Sequence, residues 1–366
     1  MTRSYPGSTP PTGARSGCAT EVARCGVPAP EAWDGQQRYR AQIAPVPSGI
    51  DRPFWSVMIP TYNCARYLRE TLASVLAQDP GREVMQVEVI DDCSNQDDPE
   101  AVVAELGGGR VGFFRQPTNV GHVRNFNTCL QRSRGRLIHI LHGDDCVRPG
   151  FYHAMQRVFD EHPEIGNAFC RQVIIDEAGR WRNISGLLQP ESGLAENWLE
   201  RIAIGQRLQT PAMVVRREVY EHLGGFDRRI HYYGEDWEMW VRIAAHYPVW
   251  HEIEPLALYR IHQSSLSGRT FRTGENIRDL RRAVRINRAS LPDKDASRIS
   301  RLALEACALG AIRRARRALA RGETVGVAPQ ILEAFKSSRT PNVLARIAFI
   351  LLYWAWRALR PPRAEQ

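Results

Sequence analysis

Three short acidic clusters in the 366-residue chain carry the residue types that metal-assisted group transfer needs. Asp91-Asp92 follows the apolar run at 87–90, and His142-Gly143-Asp144-Asp145 follows another at 137–141. Gly234-Glu235-Asp236-Trp237 precedes an amphipathic stretch through Trp240, Val241, Ile243 and Ala244. Adjacent carboxylates repel unless a cation or a hydrogen-bond donor meets them. At Asp91-Asp92 a base N–H or a ribose hydroxyl would serve; a turn capped by Asp92, Ser94 or Asn95 is an equal alternative. Asp144-Asp145 suit a hard divalent cation, Mg²⁺ or Mn²⁺, that bridges to a diphosphate, and Gly143 would let the backbone approach that ligand. A metal-free acidic turn competes, but the repetition of a strand followed by paired aspartates weighs against it. Glu235-Asp236 gains from a helix N-terminus, while a carboxylate beside an aromatic wall also serves as a general base. Tyr259-Arg260-Ile261-His262 adds a ligand imidazole and a phosphate-neutralising guanidinium, although a lone histidine is more often structural.

The elements that must position these groups alternate. Strands are expected at 56–59 (ended by Pro60), 87–90, 111–114 and 137–141, with helices near 65–78, 99–106 and 123–134. Four such alternations with short connections predict an α/β fold with a mainly parallel sheet covered on both faces. The polar clusters fall just after strand ends, the edge where open α/β sheets bind ligands. From 166 to 261 short strands (173–175, 213–215, 256–259) mix with helices near 196–204, 217–223 and 236–246, as the other half of the same domain.

Together these residues resemble the family 2 nucleotide-sugar glycosyltransferases with the GT-A fold. Pro60-Thr61-Tyr62-Asn63 resembles the family's opening strand and loop, and Val89-Ile90-Asp91-Asp92-Cys93-Ser94 its nucleotide-binding strand end, with Cys93 where glycine is usual. Asn119-Val120-Gly121 and Arg124-Asn125 match the next turn and helix, and Leu141–Asp145 the DxD-type metal motif, with His142 in place of the first acid. Gly224-Gly225-Phe226-Asp227, Glu235-Asp236-Trp237 and Tyr259–His262 match the acceptor-side motifs in order. The resemblance implies an inverting, metal-dependent transferase of the hexosyltransferase type, with Asp236 as catalytic base. It implies donor binding by Pro60, Thr61, Tyr62, Asn63, Asp91, Asp92, Asn119, Gly121, Arg124, Asn125 and Asp144. Asp227, Glu235 and Trp237 would line the acceptor side. A divalent metal, Mn or Mg, would sit on Asp144, Asp145 and His262, with His142 as a further ligand candidate. A UDP- or dTDP-sugar donor and a glycan or lipid-linked acceptor are implied, in cell-surface polysaccharide or glycolipid synthesis.

Composition sets the frame. Hydrophobic residues make up 43%, ordinary for a globular chain and too few for a polytopic membrane protein. The net charge is +9, yet from Phe271 onward 20 Lys and Arg face 8 Asp and Glu, so that tail carries +12 and the first 270 residues −3. A basic tail points to an anionic partner. No nucleic-acid module accompanies Arg313-Arg314 and Arg316-Arg317, which disfavours DNA or RNA. The 8 cysteines form no CxxC pair, and the start has no secretory pattern, so a reduced cytoplasmic protein is expected. The Asn183-Ile184-Ser185 sequon then carries little weight. Residues 1–50 read as a loosely attached extension, 51–268 as the GT-A domain, and 269–366 as a basic helical region. Its helix at 343–359 is too short to span a bilayer, but has aromatic and arginine residues suited to the inner membrane face; docking on protein is the alternative. Neither a dinucleotide-binding glycine fingerprint nor a P-loop is present. A non-catalytic nucleotide-sugar-binding relative of the same fold is the competing function, and nothing fixes an oligomeric state.

Overall fold

The computed structural model describes residues 37–50, 52–262 and 266–358. Alternating units build the first half: β1 (Trp55–Thr61), α1 (Ala65–Leu76), β2 (Met85–Asp91), α2 (Pro99–Gly107), β3 (Gly112–Arg115), α3 (His122–Arg132) and β4 (Leu137–Ile140). β1 continues through Pro60 instead of stopping there. The Pro60 carbonyl faces the β4 side, where it accepts the Gly143 N–H at 3.1 Å beyond the end of β4, so the proline's missing N–H forfeits no ladder bond.

The second half adds β5 (Cys146–Val147), α4 (Phe151–Glu161), β6 (Asn167–Ile175), β7 (Trp181–Ile184), β8 (Gly193–Leu194), α5 (Trp198–Ile204), β9 (Met213–Arg216), α6 (Arg217–Leu223), α7 (Glu235–Ala244) and β10 (Val249–Arg260). The sheet order is β3-β2-β1-β4-β9-β6-β10-β5, with β7 on β6 and β8 on β10. β3, β2, β1 and β4 run parallel, β9 is antiparallel to both neighbours, and β6 and β10 are parallel to each other. The sheet is thus mainly parallel along its first half. β5, β7, β8 and α4 are additions to the expected elements; Phe151, Tyr152, Met155, Val158 and Phe159 of α4 share one buried face.

Side-chain alternation splits the core in two, as strand geometry requires. Trp55, Val57 and Ile59 pack with Leu68, Leu72, Val102 and Met155 on one face. Met58, Ile138 and Ile140 pack on the other with Phe126, Trp237 and Trp240.

Five further helices follow: α8 (Leu266–Thr273), α9 (Glu275–Asn287), α10 (Asp293–Ala320), α11 (Val327–Ser337) and α12 (Pro341–Ala358). Ile277, Leu280, Ile299, Ala311, Val343 and Ile350 belong to the same buried cluster as Phe126 and Trp237. The basic helical region therefore packs into the same core as the sheet. The expected loose extension differs likewise over 37–47. Ile43 is buried, Arg40 pairs with Asp227 in a β-bridge, Gly225 N–H bonds Ala41 O at 2.8 Å, and Arg217 bonds Ala44 O at 2.8 Å. Residues 1–36 and 359–366, including Cys18, Cys25, Arg360 and Arg363, lie outside the described residues. The six described cysteines are all free thiols.

Candidate active site

Three parallel strand ends supply one wall of a cleft of about 460 Å³. The loop after β1 gives Pro60, Thr61, Tyr62, Asn63 and Cys64; that after β2 gives Asp92; that after β4 gives His142, Gly143 and Asp144. Asn119, Gly121, His122, Asn125 and Phe126 come from the start of α3. The lining is completed by Gln206, Gln209 and Thr210, the 231–234 turn, and Glu235 and Asp236 of α7, while Tyr259, Arg260 and His262 at the end of β10 lie against the acidic loop after β4.

The β1 and β2 loops are tied together. Asn63, with φ +51°, accepts the Asn95 and Gln96 N–H groups at 2.9 and 3.0 Å, and Asp97 accepts the Ala65 N–H at 2.7 Å at the start of α1. Cys93 sits at φ +60°, the left-handed conformation that favours glycine.

The two aspartates after β2 have separate duties, and protein donors meet both. Asp91 is fully buried and receives Arg115 Nε at 2.8 Å, the Ser94 hydroxyl at 2.5 Å and the Ser94 N–H at 3.0 Å. It stands behind the cleft lining. Asp92 faces the cleft and accepts the Val120 and Gly121 N–H groups at 2.7 and 3.0 Å, closing the turn into α3. Burial raises its pKa against those two bonds.

The acidic loop after β4 brings together Asp144, Asp145 and the further ligand candidate His142, while His262 pairs with Asp144. Ligand atoms of His142, Asp144 and Asp145 lie within 4.8 Å of one another. Asp144 receives His262 Nε2 at 2.9 Å. Burial alone would raise the Asp144 pKa; that hydrogen bond and the charges of the two histidines hold it below the usual carboxylate range. Asp145 turns inward, taking the Arg260 N–H on Oδ1 at 2.8 Å, with His142 Nδ1 3.3 Å from Oδ2. Burial and the Asp144 charge push Asp145 to about 6. His142 stacks on Phe126 with centroids 5.1 Å apart; burial would lower its pKa, but the surrounding carboxylates lift it to about 9. His142 Nε2 and Asp145 Oδ2 are buried with no hydrogen-bond partner, so this nitrogen-and-oxygen set fits a divalent cation. Gly143 lines the cleft and also serves close packing. A Cβ there would lie 2.6 Å from Thr61 Cγ2 and 2.9 Å from Cys64 Sγ.

At the start of α7, Asp236 Oδ2 accepts Gln206 Nε2 at 2.7 Å and lies 3.4 Å from Thr210 Oγ1. Burial first, and the neighbouring Glu235 charge second, raise its pKa to about 7. Glu235 itself sits 3.3 Å from His122 Nε2; burial would raise its pKa, but the His122 charge and hydrogen bond together with the His142 charge keep it low.

Five expected site residues are not part of the cleft lining: Asp145, turned inward behind Asp144, and four others. Arg124 is exposed on α3. Trp237 is buried in the core and donates its indole N–H to Ile202 O at 2.5 Å. Asp227 is buried, with both oxygens taken by Arg229 at 2.6–3.2 Å. Asp91 is the fourth. The Gly224–Asp227 motif is a joint, since Asn127 exchanges hydrogen bonds with the Phe226 backbone and a Cβ on Gly225 would lie 2.2 Å from Asn127 Oδ1. Conversely, Gln206, Gln209, Thr210, His122 and Tyr233 line the cleft without any motif to announce them.

The model of the glycosyl transferase family 2 matches residues 56–224, which contain the three strand ends and the acidic loop just described. Residues 56–224 belong to glycosyl transferase family 2. An uncharacterized protein of Mycobacterium tuberculosis is 28% identical over 252 residues, covering 64% of this chain and 75% of that one. Among solved structures, Staphylococcus aureus TarS 1–349 in complex with UDP-GlcNAc superposes with a TM-score of 0.54 at 18% identity, over 69% of this chain and 71% of the other. A mannosyltransferase of Pyrobaculum calidifontis in complex with GDP-Man and Mn²⁺ gives 0.50 at 19% identity, over 82% and 92%. These likenesses are of fold. The matched residues are those of a glycosyltransferase family, the architecture is that of the GT-A fold, and the cleft lies at the strand ends where that sheet type takes ligands.

Proposed function

We propose that this glycosyltransferase moves a sugar from a nucleoside diphosphate to an acceptor hydroxyl with inversion at the anomeric carbon. The observation that carries the reading is a single cleft lined both by Asp144 and by a buried Asp236 whose pKa lies near neutrality. Asp236 takes the acceptor hydroxyl proton as the oxygen bonds to the anomeric carbon. The bond from that carbon to the diphosphate breaks, and the electron pair leaves with the nucleotide. Gln206 and Thr210 hold the carboxylate in place. A divalent cation on Asp144, with His142, Asp145 and His262 beside it, would neutralise the leaving diphosphate.

Thr61, Tyr62, Asn63, Asp92 and Asn119 would enclose the nucleotide, with Asp91 acting through Ser94 and Arg115 as a positioning residue. Relatives of the same fold crystallised with UDP-GlcNAc and with GDP-Man and Mn²⁺ support a nucleotide-sugar donor and a divalent ion. A UDP- or dTDP-sugar is the donor we assign, and a glycan or lipid-linked hydroxyl the acceptor, as in polysaccharide or glycolipid synthesis. Donor hydrolysis is the test, screened over nucleotide sugars with Mn²⁺, with Mg²⁺ and with EDTA, the released sugar's anomeric form being read by NMR. Metal-dependent release with inverted configuration is expected. Tight donor binding without turnover under any metal would instead make the protein a non-catalytic sugar-nucleotide binder.

A further inference from the structure

α12 is apolar on both faces. Val343, Ile347 and Ile350 are buried in the core cluster, while Leu344, Phe349, Leu351 and Leu352 are 40–71% exposed. With Ala345, Ala348 and Ala355, also exposed, they fill one continuous arc at about 3.6 residues per turn. Arg346 stands at the edge of that arc.

The neighbouring surface of α10 is strongly basic. The Arg313 and Arg314 guanidiniums both come within 3.7 Å of the space above Gly310. Burial and the charges of Arg314, Arg317 and Arg346 all depress the Arg313 pKa, so the four cations crowd one another. Arg314 Nε and Nη2 are buried with no hydrogen-bond partner, and among the described residues no carboxylate pairs with any of the four. Uncompensated guanidiniums at the margin of an apolar helix are matched by a surface that offers phosphate oxygens above hydrocarbon. No described helix is long and apolar enough to cross a bilayer, so a helix of this kind lies in the interface.

We propose that the outer face of α12, with the exposed Arg313, Arg317 and Arg346 along its edge, docks the enzyme on an anionic lipid bilayer. The assignment is independent of the sugar-transfer reading. The test is co-sedimentation of the full chain with phosphatidylglycerol-containing and with pure phosphatidylcholine vesicles, alongside light scattering for oligomeric state. Wild type should bind the anionic vesicles and release them as salt rises. The double variant Phe349→Glu, Leu352→Glu should lose about tenfold or more in partitioning while its Tm and donor turnover stay unchanged. Arg313→Glu with Arg317→Glu should do the same, since each cation near the surface contributes separately. Equal binding to both vesicle types, or undiminished binding by either variant, overturns the proposal. So does a wild-type dimer that the Phe349→Glu, Leu352→Glu variant turns into monomer, for the face would then belong to a second copy of the chain.

Discussion

Asp236 has the environment of a base held near its working range. Its carboxyl is buried beside Glu235 and titrates at about 7, so it carries a proton below that pH and is ready to accept one above it. The rate of transfer at low substrate is therefore expected to fall about tenfold per unit as pH drops well below 7. Glu235→Gln removes the charge that helps raise Asp236, and the midpoint of the profile should move to lower pH; a midpoint that stays put would mean another group sets it. Asp236 and Asp144 were both legible in the sequence because each follows an element boundary in a recognisable cluster. Gln206 and Thr210, which hold Asp236, were not, since a loop glutamine and threonine acquire meaning only when the fold sets α7 beside them. Asp227 and Trp237 looked equally functional on paper. Both are instead engaged inside the fold: Asp227 is taken up by Arg229, and the Trp237 indole donates to a carbonyl of α5.

At the scale of elements, the site depends on loops that are held rigid by one another. Gly143 lets the loop after β4 press against Thr61 and Cys64. Gly143→Ala should cost about 1–3 kcal/mol and loosen metal-dependent donor binding, because the methyl must push one loop away. Thr61→Ser, which deletes the clashing Cγ2, should recover part of the loss in the double variant; no recovery would place the strain elsewhere. Cys93 shows the opposite case, a side chain where the backbone is left-handed. Cys93→Gly is expected to stabilise the fold by about 0.5–1 kcal/mol, the relief of strain exceeding the entropy that glycine adds to the unfolded chain. Thermal unfolding checks it, and a lower Tm would contradict it. The departure at Cys93 could be seen from sequence, but its conformational meaning could not. Strand ends were legible to within a few residues because apolar runs end in polar clusters. β5, β7 and β8 were not, because strands of two to four residues leave too short a pattern to read.

For the whole molecule, the sequence suggested a GT-A domain followed by a basic helical region, and in the folded chain that region shares a hydrophobic core with the sheet. The tail's Arg- and Ala-rich composition hid this, since its buried face is built largely of alanines such as Ala303, Ala308, Ala311 and Ala315. Such small side chains give a weak periodic signal and a tight helix contact. Removing 341–366 strips Val343, Ile347 and Ile350 from that core, at about 1.5–3 kcal/mol apiece. The truncated protein should unfold at markedly lower denaturant, so an activity loss on truncation reports stability before it reports membrane contact. Unchanged unfolding would mean that α12 is not seated on the core.

The account turns on a carboxylate that handles the acceptor proton while the rest of the cleft holds the donor. Asp236→Asn keeps the shape of the side chain and abolishes its basicity. Titration calorimetry with nucleotide sugar and Mn²⁺, run beside the transfer rate, should show donor affinity within about twofold of wild type and a rate reduced by about 10²–10⁴. A variant that still transfers at near wild-type rate, or one whose donor affinity falls as far as its rate, would contradict the assignment of Asp236 as the base.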